Sequence, residues 1–320
     1  MRLGIIGAGS IVPAHIRAAK IAGFSTVAIC GKDYSERAMQ LAKQTTGLSF
    51  FPNIGKLLEV DLDALLIAVT PESTISCLIQ CLSKDIPILV EKPVATSTSA
   101  FDLIEEEYYS KILVGFNRRH YSATQRYKSE LEKTDCGLIQ VNIPELSWKR
   151  FSEPALQRKM LRENSVHMFD LIQYLFGKLD ELNILAIEKC FQSRFRVVTF
   201  KTQLGFIGTL SIGFGVPDNL SIKSWSNGEV MELSPIESFQ KYTEIHIERE
   251  QSQDAIKKYV KIDSSDWKIE KNDLIAKPGF VNQYLAFAKR IRNESNDDVS
   301  ANIWDAKSAI AIAEQLASFE

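Results

Sequence analysis

The chain has few histidines, four in 320 residues, and none stands in an HExxH or comparable ligand spacing. That scarcity argues against a protein-bound metal. The five cysteines, Cys30, Cys77, Cys81, Cys136 and Cys190, are odd in number and scattered. Cys77 and Cys81 lie one helical turn apart, but no nearby cysteine or histidine completes a four-ligand set, so all five read as reduced, structural thiols. An excess of either charge is missing too. The formal net charge of -2 removes the electrostatic case for nucleic acid or an anionic membrane surface as partner. No apolar run approaches the ~20 residues needed to span a bilayer. The first residues enter a strand directly, without a basic segment and cleavage site, so no signal peptide is expected and the expected compartment is the cytoplasm. What is present, 45% apolar and 24% charged residues, is the composition of an ordinary soluble protein. The length suffices for two domains with full cores.

Residues 1–116 alternate short apolar strands with helical stretches. The strand candidates 2–7, 26–30, 64–69, 87–91 and 112–116 are apolar throughout, as in a parallel sheet covered on both faces. Helical patterns fall at 13–22, 35–43, 73–83 and about 100–109. This βαβ series predicts a doubly wound sheet. After Gly115 the pattern changes. A polar run, Asn117-Arg118-Arg119-His120, precedes a helix to about Lys133. Alternating strands follow at 138–148, 182–189, 194–203, 206–213, 220–226 and 242–250, which predicts an antiparallel sheet. One helix, 163–176, interrupts them and closes on Gly177. Two more, about 279–292 and 302–319, finish the chain. The predicted division is a dinucleotide-binding domain at 1–117 and an α+β domain at 118–320 for substrate and oligomer contacts, with the C-terminal helices able to pack back on the first domain.

Five places carry residues suited to chemistry. Gly7-Ala8-Gly9 follows a strand and precedes a helix. The first glycine permits a tight turn, and the second lets backbone approach a pyrophosphate at the helix N-terminus. Val12 occupies the third glycine position, and a tight turn without ligand is the plain alternative. At the end of the second strand, Gly31 stands where NAD binders place an acid, and Lys32 follows. That favours NADP over NAD, although Asp33 comes next. Val69-Thr70-Pro71 ends a strand before a helix expected near Ser73. It is either a cofactor wall or a simple turn capped by Ser73 or Thr74. Glu91-Lys92-Pro93 ends an apolar strand, where a lysine can bind a substrate hydroxyl and tune its proton loss; the alternative is a solvated loop lysine. On the later helix, Glu163, His167 and Asp170 follow i, i+4, i+7 spacing. A carboxylate there can orient the imidazole for acid/base work, or the set is a capping acid with a core histidine.

Together these residues resemble the glucose–fructose oxidoreductase/inositol dehydrogenase (Gfo/Idh/MocA-type) family. The likeness runs from the Gly7-Ala8-Gly9 turn and His15 through Thr70-Pro71 and Glu91-Lys92-Pro93. It continues through Gly115-Phe116-Asn117-Arg118-Arg119 to His167-x-x-Asp170 ahead of Tyr174-Leu175-x-Gly177. The resemblance implies a Rossmann domain, then an α+β domain with a large open antiparallel sheet through which two or four copies assemble. It implies hydride transfer between NADP or NAD and a secondary alcohol or ketone of a sugar, sugar nucleotide or cyclitol. Cofactor contacts would come from Gly7, Gly9, Ser10, Ile11, Gly31, Lys32, Thr70, Pro71, Glu91, Lys92 and Asn117. Lys92 and His167 would be catalytic, with Glu163 replacing the aspartate that family enzymes commonly carry. Substrate contacts would come from Lys92, Arg119, Trp148, Arg150, Arg162, Asn164 and His167; two or more arginines there would suit a phosphate or carboxylate. Two other readings stay open: a non-catalytic dinucleotide or sugar sensor of the same fold, and a reductase of a non-sugar ligand.

Overall fold

The computed structural model describes residues 1–32, 35–134, 136–145, 154–185, 195–248, 257–294 and 299–318. Trp148, Arg150 and Cys190 lie outside these residues. The chain divides into two compact units. One comprises Met1–Tyr121, Arg158–Leu171 and Lys271–Ser318; the other comprises Ser122–Gln157 and Ile172–Glu270.

The first unit is built on six parallel strands: β1 (Arg2–Ile6), β2 (Ser25–Cys30), β3 (Ser49–Phe51), β4 (Ala64–Ile67), β5 (Ile88–Val90) and β6 (Ile112–Val114). Their order is β3-β2-β1-β4-β5-β6. β1, β4, β5 and β6 are buried almost throughout, which is why they read as unbroken apolar runs. The connecting helices include α1 (Val12–Ile21), α2 (Glu36–Gln44), α3 (Ile54–Leu58) and α4 (Pro71–Leu82). Strand order reverses between β1 and β4, so the ligand crevice of such a sheet opens at their carboxyl ends. The helix Phe280–Ile291 lies on α1 and adds Phe280, Tyr284 and Phe287 to the core of this unit. Phe24 packs on Tyr284 and Phe287, with ring centroids 5.5 and 5.9 Å apart.

Several elements differ from the sequence reading. α4 begins at Pro71, not near Ser73, because proline is tolerated in a first helical turn; Thr70 is the N-cap residue. The helix expected at about 100–109 is instead two 3-10 turns, Thr98–Leu103 and Glu106–Lys111. Buried Phe101 and Ile104 recur at a spacing of three while Leu103 faces solvent, which suits the tighter helix. β3 and α3 escape prediction because they are too short for periodicity to register. α3 depends on Asn53, whose side chain accepts a hydrogen bond from Lys56 N at 2.9 Å.

The second unit contains an eight-stranded sheet: β7 (Cys136–Glu145), β8 (Leu179–Leu185), β9 (Phe195–Thr202), β10 (Ile207–Phe214), β11 (Ser221–Ser226), β12 (Glu229–Leu233), β13 (Phe239–Glu248) and β14 (Lys258–Asp263). The order is β14-β13-β12-β11-β7-β10-β9-β8. All pairs are antiparallel except β10 with β7, which is parallel, so the sheet is mostly antiparallel, as its alternating strands predict. β14 is exposed at every position, so it carries no burial pattern that sequence could reveal. The helix before Gly177 closes on a left-handed glycine, φ 84°, as its sequence predicts. Among the described residues, no helix is long and apolar enough to cross a membrane.

Candidate active site

The turn after β1 forms one wall of a cleft of about 720 Å³, within the range of small-molecule sites. Gly7 has φ 111°, and a Cβ there would stand 2.0 Å from Ala68 O, so only glycine fits. Gly9 is different. A Cβ there would have Ala68 O at 4.0 Å as its nearest neighbour, so no packing demands glycine. Its bare backbone faces the cleft. Behind it α1 follows its N-cap residue Ile11 with no side-chain cap. Val12 N–H already donates to Gly9 O and Pro13 has none, so the N–H groups offered to an anion are those of the turn itself, Ala8 to Ile11. This cradle suits the pyrophosphate of a dinucleotide.

Gly7, Gly9, Ser10, Ile11, Gly31, Lys32, Thr70, Glu91 and Lys92 all line this cleft. Pro71 instead opens α4. Asn117 is buried, and its Nδ2 donates to Pro278 O at 2.9 Å. Gly31 has a packing reason of its own: a Cβ would meet the Ser35 Cβ at 2.5 Å, and Ser35 caps α2 by accepting from Ala38 N. Its lack of an acid is therefore weaker evidence on the cofactor than sequence suggests. Arg37, which the sequence reading passed over, lines the same end of the cleft as Lys32.

At the other end, Lys92 Nζ donates to the main-chain oxygen of Glu163 at 2.8 Å. Its neighbour Glu91 is held from beneath. His15 Nε2 and Glu91 Oε1 are 2.8 Å apart, and His15 Nδ1 lies 3.1 Å from the Tyr284 hydroxyl. Burial would raise the Glu91 pKa, but the His15 hydrogen bond and the charges around it outweigh burial and hold it below its ordinary value. Glu91 is therefore the acceptor, which puts an N–H on His15 Nε2. Burial, then the Glu91 charge, pushes the Tyr284 hydroxyl well up, so it keeps its proton and donates to Nδ1. Burial lowers the Lys92 pKa, and Arg118 and Lys277 push the same way, against Glu91 and Glu163.

His167 is half-buried, with its ring edge-on to Phe116 at 5.8 Å. Burial, then the charges of Lys92, Arg118 and Lys277, holds its pKa well below the ordinary value. The ring is therefore neutral at neutral pH and able to accept a proton. Nδ1 is buried without a hydrogen-bond partner, so proton exchange falls to Nε2. The expected Glu163–His167 hydrogen bond is not made. Residues Leu161–Ser165 form a π-helical stretch, whose wider turn breaks the i, i+4 alignment. The Glu163 carboxylate lies 3.7 Å from Lys159 Nζ, and its main-chain oxygen serves Lys92.

The substrate-side set is also rearranged. Arg119 is buried and makes a bidentate pair with Asp170, at 2.8 and 2.6 Å, with Asp305 3.4 Å away. A guanidinium so engaged has no fork left for a substrate. Burial pushes the Asp170 carboxyl up to about 6, and Arg119 keeps it ionised at neutral pH. Asp170 thus serves Arg119, not the His167 ring. Arg162 is half-buried with Nε lacking a partner, and Asn164 is exposed. Trp148 and Arg150 lie outside the described residues. Arg118 and Lys277, near both Lys92 and His167, were not anticipated. Arg118 was visible only as one of two adjacent arginines, and nothing in the sequence ties Lys277 to this place.

Fold and cleft define a dinucleotide-binding α/β protein with a lysine and a neutral histidine near one site. Residues 1–112 match the sequence model of an oxidoreductase family with an NAD-binding Rossmann fold, to which glucose–fructose oxidoreductase, inositol dehydrogenase and MocA give their names. The resemblance read from the sequence is borne out by this match. The chain is 27% identical to an inositol 2-dehydrogenase of Renibacterium salmoninarum over 187 residues, 56% of this chain and 55% of that one. It is 23% identical to the rhizopine catabolism protein MocA of Rhizobium meliloti over 231 residues, 69% of this chain and 66% of the relative. The matched part spans about half the length of the inositol dehydrogenases. The fold is shared with the UDP-N-acetylglucosamine 3-dehydrogenase of Acidithiobacillus ferrooxidans, at TM-score 0.75 and 15% identity over 99% of this chain and 96% of that one.

Proposed function

We propose that the protein is an NAD(P)-dependent oxidoreductase acting on a secondary alcohol or ketone of a sugar-like or cyclitol substrate. The observation that carries this reading is the pairing of Lys92, at the mouth of the dinucleotide cleft, with a neutral, partly exposed His167 in the same unit. A bound nicotinamide dinucleotide supplies the hydride acceptor or donor. Ala8 to Ile11 hold its pyrophosphate through main-chain N–H groups, while Gly7 N–H donates to Cys30 O and shapes the turn. Lys32 and Arg37 line the far end, where a 2′-phosphate would find two cations, and this favours NADP. Lys92 donates a hydrogen bond to the substrate hydroxyl oxygen and steadies negative charge developing there. His167 takes the hydroxyl proton at Nε2, and returns it in the reverse direction. Glu163 acts by placing its main-chain oxygen on Lys92, not by orienting the ring. The names of the relatives support a substrate of the polyol class.

His167→Ala and Lys92→Ala should each lower kcat by about 100- to 10,000-fold while leaving dinucleotide affinity near that of the parent. A spectrophotometric screen of inositols, aldoses and sugar nucleotides measures the first, and fluorescence titration the second. Dinucleotide binding with no turnover of any such substrate would favour a sensor of the same fold. The unpartnered His167 Nδ1 is the observation that keeps that second reading in view, because nothing in the structure fixes the tautomer.

A further inference from the structure

Arg118 and Lys277 touch no reacting atom in that proposal, yet the fold sets their charges close enough to act on both Lys92 and His167. Arg118 sits in the 3-10 turn Asn117–His120. Lys277 precedes Pro278, whose oxygen accepts from Asn117 Nδ2 at 2.9 Å. Gly279 comes so close that a Cβ would stand 2.1 Å from Asn117 O, and its N–H is held by Asp273 Oδ1 at 2.7 Å. The two turns are thus locked together, each presenting one cation. Among the described residues, neither forms an ion pair with a carboxylate, and Arg118 Nη1 is buried with no hydrogen-bond partner. The adjacent Arg119 is matched by Asp170 and Asp305. Near Lys92, the carboxylate of Glu91 is already bound to His15 and that of Glu163 faces Lys159. Lys92, Arg118 and Lys277 act together here against two carboxylates, Glu91 and Glu163, so the cluster keeps a net positive charge that an anionic occupant would offset. The cofactor pyrophosphate is not that occupant. It has its own cradle at Ala8 to Ile11, and neither Arg118 nor Lys277 lines the dinucleotide cleft.

We infer that the substrate is acidic: a sugar-type polyol bearing a phosphate or carboxylate group, which Arg118 and Lys277 bind while Lys92 holds the reacting hydroxyl. The inference rests on the proposed dehydrogenase reading for the position of that hydroxyl. Arginine supplies a fork for the anion's oxygens, and lysine adds a point charge. Together they would select acidic over neutral sugars.

Titration calorimetry on the full chain saturated with NADPH would test this, with glucose 6-phosphate, glucuronate and glucose as probes. At least one of the two anions should bind about tenfold or more tightly than glucose, and added salt should shrink the difference. Which anion binds better tells phosphate from carboxylate. Arg118→Gln and Lys277→Gln should each cut the ratio of anion to glucose affinity several-fold while NADPH affinity holds; the second variant, at an exposed position, guards against a folding defect in the first. The inference is overturned if neither anion binds better than glucose, if both substitutions leave the ratio unchanged, or if they weaken NADPH instead. Anion preference without hydride transfer would sink the dehydrogenase reading alone. Turnover of a neutral sugar without anion preference would sink this one alone.

Discussion

Lys92 and His167 are both pushed toward their neutral forms, the lysine by burial and by Arg118 and Lys277, the histidine by burial and by those same cations with Lys92. The direction has a kinetic consequence. A base with a lowered pKa stays neutral to lower pH, so the acid limb of kcat/KM should fall below the ordinary histidine value of 6.5. The alkaline limb, where Lys92 loses its proton, should fall below the ordinary lysine value of 10.5. A pH profile of kcat/KM measures both. An acid limb above 6.5 would mean that His167 is not the base. In Arg118→Gln and Lys277→Gln, which remove a positive neighbour, both limbs should move upward.

The π-helical stretch Leu161–Ser165 decides what its helix can offer the site. It takes the Glu163 carboxylate out of line with His167 and turns the Glu163 main-chain oxygen to Lys92. After it, the helix Val166–Phe176 carries Asp170, which binds Arg119 from the turn after β6. The pair ties two separate chain segments together within one unit. Removing one partner of a buried, bidentate ion pair leaves an uncompensated charge, at a cost of about 3–5 kcal/mol. Asp170→Asn should therefore lower the urea midpoint by that equivalent, with some relief from Asp305. A loss under about 1 kcal/mol would show that Asp305 alone suffices. The exposed pair Lys56–Glu59 should contribute no more than about 1 kcal/mol by the same measurement.

For the molecule as a whole, the parallel sheet with its reversal between β1 and β4 brings glycine turn, Lys32 and Arg37, and Lys92 to one cleft. A ligand bound only by the folded form stabilises it by mass action, about 2.7 kcal/mol at 100 times its dissociation constant. NADPH should raise Tm more than NADH at equal concentration, and Lys32→Ala with Arg37→Ala should abolish the difference. A larger shift with NADH in the parent protein would reverse the cofactor preference.

The amino-acid sequence by itself determined the parts with local causes. The βαβ alternation, the left-handed Gly7 turn, the Gly177 helix end and the Lys92 strand end each follow from apolar runs or from the conformational range of one residue. Those signals sufficed for the fold class and for many of the residues that line the cleft. Only the tertiary structure decided how the charges are matched. Two adjacent arginines look alike in sequence, yet Arg119 is buried on Asp170 while Arg118 Nη1 is left without a partner. Glu163 stands at helical spacing from His167, yet a one-residue change in hydrogen-bond register separates them. Lys277 is far from Lys92 along the chain and joins it through the clamp of Asn117 on Pro278. Electrostatic partners are chosen by distance in space and by burial, and neither is written in the order of residues.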